Sequence, residues 1–157
     1  MRVVYAMLLV CSGCAQLLGL DPPTRRSGDS GVAASCASDS AFTPLPTQSS
    51  TYLFVATDTT WDDARVSCQN RGAHLVIIDD ATELDAIGLN MQLWLGVSDA
   101  LHDGVWRTTT GATASYLPWE AGQPSTTAGD DCVKVDQGVF VAKACDHPYS
   151  YACECEP

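Results

Sequence analysis

The sequence predicts an α+β fold stapled by disulfides, with two helices flanking small antiparallel sheets and one long loop left over for binding. Three observations predict it. Two helix-start signals lie close together in the middle of the chain, Thr60 with Asp63 and Asp80 with Glu83. Short apolar runs of strand length dominate the second half of the chain: Trp94 to Val97, Cys132 to Val135, Val139 to Val141 and Tyr151 to Cys153. Of the eight cysteines, the six beyond the leader (Cys36, Cys68, Cys132, Cys145, Cys153 and Cys155) form an even set suited to an oxidising compartment.

Taken in order, the chain opens with Arg2 and an apolar run from Val3 to Val10, too short to span a bilayer. Residues 1–13 therefore read as an export signal. Ser12 and Gly13 directly before Cys14 resemble the end of a bacterial lipobox, where cleavage precedes the cysteine and its sulfur carries diacylglycerol. Cys11 stands where that pattern usually has Leu. The expectation is lipidation at Cys14 and anchoring to a bacterial membrane; the alternative is an ordinary signal peptide and a secreted product. Residues 14–35 carry Pro22, Pro23, Arg25 and Arg26 among Ser, Gly and Ala, with little to bury, and read as a flexible tether. The domain proper is 36–157.

Tyr52, Phe54 and Ala56, alternating with Leu53 and Val55, predict a buried first strand. Thr60 caps a helix whose Trp61, Ala64 and Cys68 fall near one face, and Gly72 ends it. Leu75 to Ile78 is a short apolar strand. Asp80 then caps a second helix carrying Leu84 and Ile87. After Trp106, a polar stretch from Gly122 to Asp131 predicts a long loop, the kind of segment in which binding usually resides on a rigid scaffold. The turn at Asp136, Gln137 and Gly138 joins the next two strands.

A formal charge of −11 with only 17% charged residues makes an acidic surface, unsuited to phosphate backbones. Nucleic acid is not an expected partner. Thiolate-bound zinc is not expected either, because Cys153 and Cys155 form a C-x-C unit without a matching pair.

Read together, Trp61, Cys68, His74-Leu75, Trp94-Leu95-Gly96-Val97, Gly104-Val105-Trp106, Trp119, Cys132, Cys145 and Cys153 resemble a C-type lectin-like domain. The resemblance covers roughly Cys36 to Glu154. It implies disulfides between Cys68 and Cys153 and between Cys132 and Cys145, which leaves Cys36 with Cys155. Trp94 to Val97 corresponds to the family's "WIGL" strand, with a glycine that permits close backbone approach.

The resemblance also implies where ligands would bind. In calcium-dependent members, sugar is held by a calcium ion on a Glu-Pro-Asn or Gln-Pro-Asp loop motif, an acidic residue and a Trp-Asn-Asp strand. Here Gln123-Pro124-Ser125 takes the loop position, Asp130 the acidic one, and Phe140-Val141-Ala142 the strand. Hydrocarbon thus replaces two oxygen ligands, and calcium wants about six to eight oxygens. No tight sugar-coordinating calcium is expected. An auxiliary calcium position matches Asp99, Asp103 and Asp131, with Thr126 where a further carboxylate is common; these either hold a weak Ca2+ or shape the turn before Gly104. No cofactor is required.

His74, His102 and His147 assemble with no nucleophile elbow, phosphate loop or H-E-x-x-H stretch, so no enzyme is expected. Trp119 and Tyr116 either stack on a sugar face or belong to the core. The reading is a non-catalytic, exported binding module, with Trp119, Gln123, Ser125 and Asp130 as the loop candidates. Its expected partner is a glycan or a surface protein, with membrane contact only through the lipid on Cys14.

Overall fold

The computed structural model describes residues 35–88 and 90–157. The expected export signal, Cys14 and most of the expected tether lie outside the described residues. A 3-10 turn at Cys36–Ser38 leads into β1 (Thr43–Pro44), β2 (Thr51–Thr59), α1 (Trp61–Gln69), β3 (His74–Leu75) and α2 (Ala81–Ile87). The second half is strands: β4 (Gln92–Ser98), β5 (Arg107–Thr108), β6 (Cys132–Asp136), β7 (Val139–Lys143) and β8 (Tyr149–Cys155).

Both helices start where the capping signals lie. Thr60 Oγ1 accepts the Asp63 amide at 3.2 Å, and Asp80 Oδ1 accepts the Glu83 amide at 2.9 Å. Glu83 departs from the reciprocal capping box: its Oε2 takes the Asp79 amide at 2.9 Å and its Oε1 the Tyr52 hydroxyl at 2.6 Å. That pair pins α2 to β2 and buries the carboxylate.

Instead of separate small antiparallel sheets, the strands form one mixed sheet in the order β1-β2-β8-β4-β6-β7, with β3 added to β8 and β5 to β4. The cause is β8. It pairs antiparallel with β2 and β3 but parallel with β4, through Leu93 with Ser150 and Trp94 with Tyr151, and so joins the two halves.

Two further expectations are corrected. In β2 only Tyr52 is fully buried and Ala56 is exposed, because the register with β8 breaks between Val55 and Thr59. The Leu75 to Ile78 strand is regular only at His74–Leu75. Val76, Ile77 and Ile78 are nonetheless buried, their backbone tied to Ala152, Gly96 and the Glu154 side chain.

One core cluster gathers Val76, Leu84, Leu93, Leu95, Val133 and Phe140; the other gathers Ala64, Leu75, Trp94 and the cystines. Trp94 is fully buried, and its indole donates to the Thr59 carbonyl at 3.0 Å. Trp61 donates likewise to Leu95 O at 2.7 Å, which hangs α1 on β4. A Cβ at Gly96 would collide with the Leu75 carbonyl oxygen and meet Thr109 Oγ1 at 2.8 Å, so this strand position accepts only glycine.

Disulfides join Cys36 to Cys155, Cys68 to Cys153 and Cys132 to Cys145. In the chain-entropy account, each of the two long links contributes on the order of 4 kcal/mol.

Candidate binding site

The loop 122–131 closes over the segment that follows β4, and between them lies a cavity of about 410 Å3. Its wall includes Asp99, Asp103, Trp106, Thr127, Asp130 and Asp131. The size falls in the range of small-ligand sites, about 300 to 1,000 Å3.

Backbone bonds set this geometry. The Asp99 amide donates to the Asp131 carbonyl at 3.0 Å and ties the loop's end to the end of β4. Asp99 Oδ2 accepts the Gly104 amide at 2.8 Å and closes the turn. Asp99 Oδ1 is buried without a hydrogen-bond partner among the described residues. Burial, together with the charges of Asp131 and Asp103, raises the Asp99 carboxyl above its ordinary range, against the opposing bond from Gly104.

The sequence-predicted loop residues have divided roles. Gln123 Oε1 accepts the Ala142 amide at 3.0 Å, so its oxygen serves the outer edge of β7. The same edge is covered by the Phe140 amide bonded to Pro118 O and the Glu120 amide bonded to Phe140 O. Ser125 Oγ accepts the Thr127 amide at 3.1 Å and shapes the loop while lining the cavity. Trp119 is half-buried, its ring edge-on to Trp106 at 4.9 Å and to Phe140 at 6.4 Å. Tyr116 meets Phe140 edge-on at 6.2 Å. Both aromatics pack, partly buried, at the margin of the core. Asp130 and Asp131 stay on the cavity wall.

The three histidines sit on separate elements. His74, on β3, has Nδ1 at 3.1 Å from Leu75 O and Nε2 at 3.4 Å from Glu156. His102 is exposed in the Asp99 to Gly104 turn, and His147 stacks on Tyr149 before β8.

A family model described as the lectin C-type domain matches residues 57–155. The chain belongs to the C-type lectin domain family. Members of this family are binding modules for carbohydrate or protein. C-type lectin domain family 17, member A, of Homo sapiens is 32% identical over 98 residues, covering 60% of this chain and 26% of that protein. The Homo sapiens versican core protein is 30% identical over 115 residues, 68% of this chain and 3% of that protein. This chain therefore spans a small part of the relatives' length. Among solved structures, the mouse scavenger receptor C-type lectin carbohydrate-recognition domain superposes with a TM-score of 0.67 at 24% identity, covering 75% of this chain and 97% of that one. A calcium-independent type II antifreeze protein gives 0.68 at 24% identity, covering 74% and 92%. At such identities the likeness establishes the fold.

Within this C-type lectin domain the two calcium positions differ in fit. The sugar-coordinating position does not fit the ion: Gln123 Oε1 is engaged, and Val141 and Ala142 are buried hydrocarbon. At the auxiliary position, Asp99, Asp103 and Asp131 line one cavity and Asp99 Oδ1 lacks a partner, which fits a cation. Even so, among the described residues no three His, Cys, Asp or Glu side chains converge as a ready ligand set. Sequence reasoning missed Trp106 as part of the wall; its signal was its position two residues beyond Gly104, at the end of the acidic turn.

Proposed function

We propose that this C-type lectin domain is a non-catalytic, extracytoplasmic binding module that takes carbohydrate in the long-loop cavity without the full calcium-dependent sugar site. The observation that carries the reading is the division of the loop. Gln123 is committed to β7, whereas Asp130, Asp131 and the Thr126 and Thr127 hydroxyls surround an open cavity. Hydroxyl and carboxylate groups of this kind hydrogen-bond sugar hydroxyls directly. No cofactor is needed for that mode. A weak Ca2+ at Asp99, Asp103 and Asp131 is compatible with it and finds support in the unpartnered Asp99 oxygen. Export is supported by the three disulfides, which persist in oxidising compartments. Lipid attachment at Cys14 stays part of the proposal.

The second reading, a basic surface protein as the ligand, is favoured by the four aspartates around one cavity. A glycan array probed with the mature oxidised protein, in calcium and again in EDTA, separates the two. Glycan binding kept in EDTA and lost in Asp130→Asn supports the first reading. Binding abolished by EDTA contradicts it. Silence on glycans, with salt-sensitive binding to a basic protein such as lysozyme, supports the second.

A further inference from the structure

The segment 98–107 has two sets of side chains. Asp99, Asp103, Gly104 and Trp106 line the acidic loop cavity; Ser98, Ala100, Leu101, Val105 and Arg107 line a second, open groove of about 430 Å3, closed on its far side by Trp61 and Arg65 of α1. The two cavities share no lining residue.

The groove is apolar where the rest of the surface is acidic. Among the described residues, the exposed large aliphatic side chains are Val66, Leu101 and Val105, and two of these three line the groove. Leu101 is 81% exposed and stands on its rim, so the apolar area runs outward past the groove itself. The hydrogen bond from the Trp61 indole to Leu95 O fixes that ring in place.

Charge separates this groove from an unassigned apolar patch. Of the described arginines and lysines, Arg65, Arg71 and Lys134 are each paired with a carboxylate, from Asp62, Asp39 and Asp136 respectively, while Lys143 is without such a partner among the described residues and lies outside the groove's lining. Arg107 has no carboxylate partner among the described residues. Its guanidinium makes a single 3.4 Å bond to the Gly111 carbonyl. A free guanidinium fork is matched to a carboxylate, which it holds by two parallel hydrogen bonds. On a chain of formal charge −11, the exposed Arg107 gives this apolar groove a local positive charge for an acidic partner to meet.

We propose that the Trp61–Leu101–Arg107 groove is a docking surface for an exposed segment of a partner protein that places a leucine-sized apolar side chain next to a carboxylate. The apolar side chain fills the groove between Trp61 and Val105, and Arg107 takes the carboxylate. A second copy of this chain is the poorer occupant, because its own net charge opposes approach. The site is separate from the long-loop cavity, and its fate does not depend on what that cavity binds.

The test uses the 15N-labelled full chain titrated with a synthetic octapeptide of alternating leucine and aspartate, and with two controls in which asparagine or lysine replaces aspartate. Expected are shifts at Leu101, Val105, Arg107 and the Trp61 indole. Affinity should weaken at least fivefold for the asparagine peptide and for each of Leu101→Ser and Arg107→Gln. Both side chains are exposed, and unchanged melting temperatures confirm that the variants fold. No binding at millimolar peptide, equal binding of the lysine peptide, shifts confined to 122–131, or undiminished affinity in both variants overturns the proposal. Sedimentation that reveals self-association abolished by Leu101→Ser also overturns it and assigns the groove to a second copy.

Discussion

The side-chain oxygen of Gln123 accepts the backbone amide of Ala142 at 3.0 Å, so a residue at a sugar-site position holds the edge of a strand. Ala142 is fully buried, and its amide has no water to turn to. Gln123→Leu therefore orphans a buried donor, at a cost of about 1 to 3 kcal/mol. The melting temperature should fall by several degrees, and Gln123→Glu, which keeps an acceptor, should recover most of it. Thermal denaturation with an unchanged midpoint in the leucine variant would show that the bond is unimportant.

Trp119 should report on stability ahead of binding. Its contacts with Trp106 and Phe140 make Trp119→Ala a truncation at the core's margin. A loss of about 2 to 3 kcal/mol is expected in urea denaturation, below the range for fully buried tryptophan because the ring is half-buried. A variant of native stability that has lost glycan binding would return Trp119 to the ligand site.

Glu154 sets a pH dependence. Its carboxyl is raised above the ordinary 4.5, by burial first and also by the nearby Glu83 carboxylate, against the bond from the Ile77 amide and the influence of His74. Because the folded form holds this proton more tightly than the unfolded chain, its contribution is full below pH 4.5 and is lost as pH rises through the raised value. Glu154→Gln keeps an acceptor for Ile77 and removes the titration. Urea denaturation from pH 3.5 to 7.5 should show the variant gaining on the native protein toward neutrality; parallel profiles would refute the assignment.

Calcium titration calorimetry should find no tight site. Any heat is expected at an affinity on the order of 1 mM and should vanish in Asp131→Asn while surviving Gln123→Ala. Micromolar binding that depends on Gln123 would mean that the amide leaves Ala142 for the ion.

The short link between Cys132 and Cys145, separated by 13 positions, closes the β6–β7 hairpin onto the residue that leads toward β8. Replacing both cysteines with serine should cost about 3 kcal/mol. Chemical denaturation in the absence of reductant measures it.

The capped starts of both helices, the glycine in β4 and the long loop were legible because each rests on local chemistry: a hydroxyl or carboxylate before a helix, a missing Cβ, a polar run. The single mixed sheet was not, because strand order depends on pairings between distant segments that no local pattern encodes. The reach of Glu83 back to Tyr52 was hidden for the same reason, since the 31 positions between them are bridged only by tertiary packing. At the site, the acidic residues were visible as a group. The engagement of Gln123 by Ala142 and the apolar groove beside Arg107 needed coordinates. Leu101, an isolated aliphatic residue in the acidic 99–104 turn, was the one trace of the groove in the sequence.

β8 is partner to β2, β3 and β4 and also carries Cys153 and Cys155, the acceptors of the two long cystines. Among the described strands it comes latest in the chain, so the earlier ones have no middle to assemble on without it. Contacts of such long sequence separation form slowly. One strand thus holds both long cystines and the middle of the sheet, so a substitution that unpairs β8 should loosen the amino-terminal and carboxy-terminal halves together.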